Sequence, residues 1–281
     1  MAFCLLSVGL SGQNDSLKAD LAFYGDVMTN AALPKHRERA GEAFRQAFNA
    51  FLQSDSPATL TFHDLPWLTV IVPSDSVFRL VTWQVEGDDA FRYYGYLLPE
   101  RGAMEVIEFQ DSRPLNSESA TYTPEQWYGG LYYGIQPFTS HDGKEAYVLL
   151  GFDAHNTRLN RRVADILWFD GEKATLGMPV FWADTLGQTF RNRVIVEYSD
   201  AAAATMRFDR EKQMLIYDHL IPIQTPEGPA MVPDGSYHGY QYNNGYWELI
   251  NKVFNLKLDE PPGGRPKEAE KRDLFGRPKG S

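Results

Sequence analysis

Three dipeptides, Asp142-Gly143, Asp170-Gly171 and Asn244-Gly245, each separate short apolar or aromatic runs. Glycine adopts positive φ freely and Asn or Asp tolerates it, which is what the tight turn of a β-hairpin requires. The same texture of brief apolar runs between turn residues continues from Ser54 to Ile250. It predicts antiparallel strands near Trp67–Val72, Val77–Val85, Phe91–Leu98, Met104–Phe109, Leu131–Phe138 and Ala146–Phe152. Further strands are expected near Arg162–Phe169, Val180–Ala183, Arg193–Tyr198, Thr205–Phe208, Met214–Tyr217, Tyr237–Tyr242 and Tyr246–Ile250. Alternation is clearest where Val194, Val196 and Tyr198 face one way and Arg193, Ile195 and Glu197 the other. Strands do not alternate with long helices after Ser54, so a doubly wound nucleotide fold is disfavoured. The expected class is mainly β: an antiparallel meander forming a sandwich, a barrel or a propeller-like array, with a two-helix N-terminal segment. Tryptophan-bearing strands (Trp83, Trp168, Trp182, Trp247) recur without a fixed period, which leaves those architectures open.

The helical segment precedes the β region. Leu17, Leu21, Tyr24 and Met28 fall on one stripe of a 3.6-residue helix, and Asn14-Asp15-Ser16 supplies candidate N-caps. Pro34 suits a first helical turn, after which Ala40, Phe44, Ala47, Phe48 and Phe51 form a second stripe. Residues 14–54 are therefore expected to brace a β domain spanning 58–256. Ahead of them, the apolar run Ala2–Leu10 and the small residues of Ser11-Gly12 resemble the core of a signal peptide, placing a partial leader at 1–13. No Lys or Arg precedes Lys18, so the positive start of such a leader is missing. Residues 257–281 carry seven basic and five acidic side chains with almost no apolar content, so a disordered charged tail is expected. No run of eighteen or more apolar residues occurs, so no transmembrane helix is expected.

Charge narrows the partners. In 281 residues, 27 Lys and Arg face 37 Asp and Glu, a net charge of −10. A general nucleic-acid binder needs a concentrated basic face, and a binder of anionic lipid needs the same. Neither is expected. Cys4 is the one cysteine, and loss of the leader would remove it, together with disulfides, thiolate metal sites and a cysteine nucleophile. Phosphate-binding loops, a Gly-x-Ser-x-Gly elbow and a His-Glu-x-x-His helix are all absent from the sequence.

Two sets of residues are candidates for a site. In the loop Gly151–Thr157, Asp153, His155 and Asn156 offer oxygen and imidazole donors to a divalent cation or a hydroxylated ligand. The competing reading is that Asp153 and Asn156 bond their own backbone to shape the turn. The aromatic residues, 14% of the chain, supply Trp127, Tyr128, Tyr240, Tyr242 and Trp247 as ligand-binding candidates. Exposed, such rings stack on sugars or anchor a protein interface; buried, they fill a β core, which is the expectation for most aromatic residues here. The acids Glu105, Glu108, Glu197 and Asp218 lie on adjoining expected strands, and two of them across a cleft would suit glycoside hydrolysis.

Ala146–Asp153, Arg162–Gly171 and Arg193–Tyr198 resemble segments of a group of exported Bacteroidota proteins with no assigned activity. Met206–Asp209, Tyr217–Leu220 and Pro233–Tyr237 share the likeness, which reaches to about Glu248. The resemblance implies an envelope or extracellular location and transfers no catalytic residue. The function expected is that of an exported, non-catalytic binding or assembly component of the cell envelope, without a cofactor, meeting a protein or glycan partner. A carbohydrate-active hydrolase is the alternative.

Overall fold

The computed structural model describes residues 6–54, 62, 65–100, 104–114, 118–184, 189–226 and 228–253, with side chains from Ser16 onward. Cys4 and the charged tail lie outside the described residues. Two helices come first, α1 (Leu6–Asn30) and α2 (Pro34–Ser54). The expected boundary at residue 13 thus falls within a continuous helix. Both stripes read from the sequence face inward: Leu21 and Met28 on α1, and Ala40, Phe44, Ala47, Phe48 and Phe51 on α2, are buried.

The remainder is mainly β, arranged in open sheets with no closed barrel among the described residues, antiparallel except for the parallel β15–β9 contact. The first sheet is the meander β1 (Thr69–Ile71), β2 (Phe78–Glu86), β3 (Phe91–Pro99) and β4 (Ile107–Gln110). The second contains β5 (Leu131–Thr139), β6 (Glu145–Asp153) and β7 (Leu159–Asp170), with β8 (Lys173–Leu176) and β11 (Val194–Ser199) both paired to β7. The third runs in the order β10 (Phe190–Arg191), β9 (Phe181–Trp182), β15 (Tyr246–Ile250), β14 (Gly228–Asn243), β13 (Met214–Thr225), β12 (Met206–Asp209). Every strand expected from the sequence is present. The three Gly-containing turns close their hairpins, with φ of 81° at Gly143, 63° at Gly171 and 84° at Gly245.

Side-chain alternation stacks these elements into layers. On β2 and β3, Val81, Trp83, Tyr94 and Tyr96 face the helices, where Phe48 meets Trp83 and Tyr96 edge-on at 5.3 and 5.0 Å. Gly41 of α2 lies so close to the sheet that a Cβ there would stand 2.6 Å from Val85. The opposite face, with Phe78, Leu80, Tyr93 and Leu97, packs on Tyr147, Leu149, Val163 and Leu167 of the second sheet. That sheet turns Val148, Leu150, Ala164 and Ile166 toward Phe181, Leu215, Tyr240 and Trp247 of the third. Buried on both faces, β6 has the unbroken apolar run Ala146–Leu150 that a covered strand requires.

One charged pair is enclosed within these layers. Arg193 Nη2 lies 2.9 Å from Asp165 Oδ1, and both side chains are fully buried. Asp165 Oδ1 also accepts the Ile166 N–H, and the Tyr132 hydroxyl reaches its Oδ2 at 3.4 Å. Arg193 also lies over the Tyr122 ring at 4.9 Å. Removing one member of such a pair costs about 3–5 kcal/mol, because its partner is left charged and dry.

Candidate functional site

Asp153 ends β6 and is buried, and polar groups from four other segments converge on it. Tyr128 donates its hydroxyl to Asp153 Oδ2 at 3.2 Å; the His155 Nδ1 lies 3.5 Å from the same oxygen. Arg113 and Arg161 each bring a guanidinium to within 3.9 Å of the carboxylate. Arg161 continues outward to His155 Nδ1 at 2.9 Å and to Glu197. Nearby, Asp111 accepts the Tyr93 N–H, and the Tyr93 hydroxyl takes the Ala154 N–H. Burial raises the Tyr93 and Tyr128 hydroxyls above the usual phenol range and the Asp111 carboxyl above the usual carboxylate range. Burial, with Arg161 beside it, lowers the His155 imidazole.

The loop after Asp153 owes its shape to Asn156, whose Oδ1 accepts the N–H groups of Arg158 and Leu159 at 2.9 and 3.0 Å. The three candidate cation ligands therefore have other work: Asp153 faces two guanidiniums, His155 contacts Arg161, and Asn156 ties its own turn. Among the described residues no three His, Cys, Asp or Glu side chains are placed to hold a metal ion. The cluster is a charge-balanced network pinning the ends of β6 and β7 to the first sheet.

The aromatic candidates turn inward. Trp127, Tyr128, Tyr240 and Trp247 are buried, so no ligand can stack on their faces, and they are core residues rather than a binding platform. Trp127 donates Nε1–H to the Tyr132 hydroxyl at 3.0 Å and packs on Phe109. Tyr242 is half-buried, and its hydroxyl is given to the Thr139 carbonyl at 2.7 Å. The candidate acids are held by separate partners: Glu108 by Arg45 and Tyr96, Glu197 by Arg161, and Asp218 by Thr205. Glu105 is exposed.

A groove elsewhere runs along a strand. Its near wall is Val194–Glu197 of β11, four consecutive residues, and its far wall is Tyr217–Leu220 with His238. Arg191, Ile195 and Glu197 also line an adjoining cleft with Glu118 and Arg161. Consecutive residues point to opposite faces of a strand, so a wall made of four of them is the strand's edge. Among the described residues β11 is an edge strand, paired only with β7. Asp200 donates its N–H to the Arg158 carbonyl, which extends the β7–β11 ladder by one hydrogen-bonded rung. Antiparallel rungs alternate, so Val194, Val196 and Tyr198 bond inward to β7 while Ile195 and Glu197 present N–H and C=O to the groove.

The far wall belongs to a feature that the sequence did not disclose. Beyond Asp218, β13 and β14 continue as a two-stranded ribbon, from Leu220 opposite Pro233 to Thr225 opposite Gly228. Among the described residues no third strand joins those rungs, and Ile221, Ile223 and Met231 are exposed. At its root the register slips, and His219 Nδ1 lies 2.9 Å from Asp234 Oδ2. Hydrogen bonds from Ser236 and His219 hold the Asp234 carboxyl well below the usual carboxylate range, and burial lowers His238.

No family model, no curated protein and no solved structure matches this chain.

Proposed function

We propose that the protein is a non-catalytic binding component of the cell envelope that captures an extended polypeptide segment along β11. The observation that carries this reading is the outward-facing main chain of Ile195 and Glu197, which has no backbone partner among the described residues and lines an open groove. An extended segment entering there adds a strand to the second sheet, and each main-chain bond contributes about 0.5–1.5 kcal/mol net. Its side chains meet Arg191 and the ribbon root at one end and Ser199 with Pro229 toward the other, which gives the selection. Of the two partner classes expected, a protein fits better than a glycan, since the rings that would stack on sugar are buried. The envelope setting rests on the leader-like run at the N-terminus and on the resemblance to exported proteins.

The test is selection of binders from a library of random ten-residue peptides, followed by titration against β11 variants. Glu197→Pro deletes one outward N–H and leaves the inward bonds of Val196 and Tyr198 intact. It should weaken the selected peptides about tenfold or more, with an unchanged near-ultraviolet circular dichroism spectrum. Glu197→Ala, which keeps the N–H, should retain binding. Failure to select any peptide, or equal affinity for Glu197→Pro and the parent protein, would contradict the reading.

A further inference from the structure

The slip between β13 and β14 sets His219 alone opposite three residues, Asp234, Gly235 and Ser236. Bulges of this kind re-aim a side chain, and here the irregularity is organised by one carboxylate. Asp234 Oδ1 accepts both the Ser236 N–H and the Ser236 hydroxyl, at 2.8 and 2.7 Å. Gly235 completes the bend at φ 85°, a conformation that a side chain would strain. Asp234 Oδ2 is left for His219 Nδ1. A carboxylate can only accept, so the proton of His219 sits on Nδ1 and the lone pair of Nε2 is turned away from Asp234. The His238 ring lies with its centroid 4.4 Å from that of His219, tilted by 42°. Its ring nitrogens have no hydrogen-bond partner among the described residues. The His219 side chain is 33% exposed, so the pair opens to solvent.

Two neighbouring imidazoles, one of them oriented through its far nitrogen by a carboxylate, match the carboxylate–histidine–metal arrangement of bound late transition metals. We propose that His219 and His238 form a two-imidazole site for a divalent late transition metal ion (copper, nickel or zinc), with Asp234 as the positioning residue. Imidazole donors exclude calcium and magnesium, which take oxygen ligands. With no third His, Cys, Asp or Glu in place among the described residues, solvent fills the remaining positions. Nearby Lys252 repels a cation, while Asp234 offsets it. The site therefore follows the general affinity order of such ions, copper above nickel and zinc.

The probe is Cu²⁺ alone, titrated into the full chain by calorimetry and by electron paramagnetic resonance, without any peptide, so that its failure is separable from failure of strand capture. The expected result is one ion per chain in a spectrum with nitrogen coordination. His219→Gln and His238→Gln should each weaken it about tenfold or more, and Asp234→Asn about 10–100-fold, with circular dichroism unchanged. The remaining histidines persist in every variant and supply the background. The same affinity and stoichiometry in the His219→Gln/His238→Gln double variant, or a spectrum without coordinated nitrogen, would overturn the proposal.

Discussion

Tyr133 lays its ring against Arg162 and donates its hydroxyl to the Met206 carbonyl at 2.8 Å; the residue is 38% exposed, yet desolvation of its hydroxyl pushes the pKa up to about 12. It is one of eleven tyrosines, of fifteen in the chain, whose hydroxyls burial holds above the usual phenol value. A raised phenol pKa favours the neutral form in the fold. The stability it contributes is whole below about pH 10, the unfolded value, and is lost as pH climbs through the folded value. A stopped-flow jump to pH 11, read at the tyrosinate absorbance, should therefore show a small instantaneous rise and a larger phase paced by unfolding. If nearly all phenols ionise in the dead time, the rings are exposed and the layered packing is wrong. For the same reason the stacking candidates failed as a platform: residue type revealed that Trp127 and Tyr240 prefer a dry environment, but not which side of a strand was wet. Asp153 was legible as a strand-end acid, whereas its guanidinium neighbours come from positions 40 residues before it and 8 after, which no local pattern connects.

At the scale of elements, the helical pair is a fixed part of the fold, because Phe48 is fully buried between Phe44, Phe62, Trp83 and Tyr96. Phe48→Ala should cost about 3–5 kcal/mol in urea unfolding, the range for removing a large core ring. A loss under about 1 kcal/mol would mean that α2 is only loosely attached. The strands were readable because turn dipeptides and aromatic runs act over a few residues. β8 (Lys173–Leu176) and β10 (Phe190–Arg191) went unread because neither carries an apolar or aromatic run. The ribbon was missed for a different reason: Pro222, Pro229 and Pro233 read as strand breakers. They are tolerated because the ribbon has no outer strand beside it among the described residues, so a missing N–H on its edge breaks no ladder. Asp234 and His219, fifteen residues apart, are joined only by that ribbon's register.

For the molecule as a whole, the order of the strands decides which main chain is left at an edge. Local pattern predicts that Val194–Ser199 is a strand, yet only the topology β11-β7-β6-β5 makes it an edge. Helices cover one face of the first sheet, the sheets cover one another, and the ring-bearing side chains are consumed in the three contacts between layers. In the proposed function, what is left for a partner is the β11 main chain beside the ribbon. Hydrogen–deuterium exchange of the β11 amides, with and without a selected peptide, tests that claim most directly. In the free protein the Ile195 and Glu197 amides should exchange quickly while Val194, Val196 and Tyr198 are protected, and peptide should slow the first two selectively. Equal protection of all five in the free protein, or peptide protection elsewhere with β11 unchanged, would contradict it.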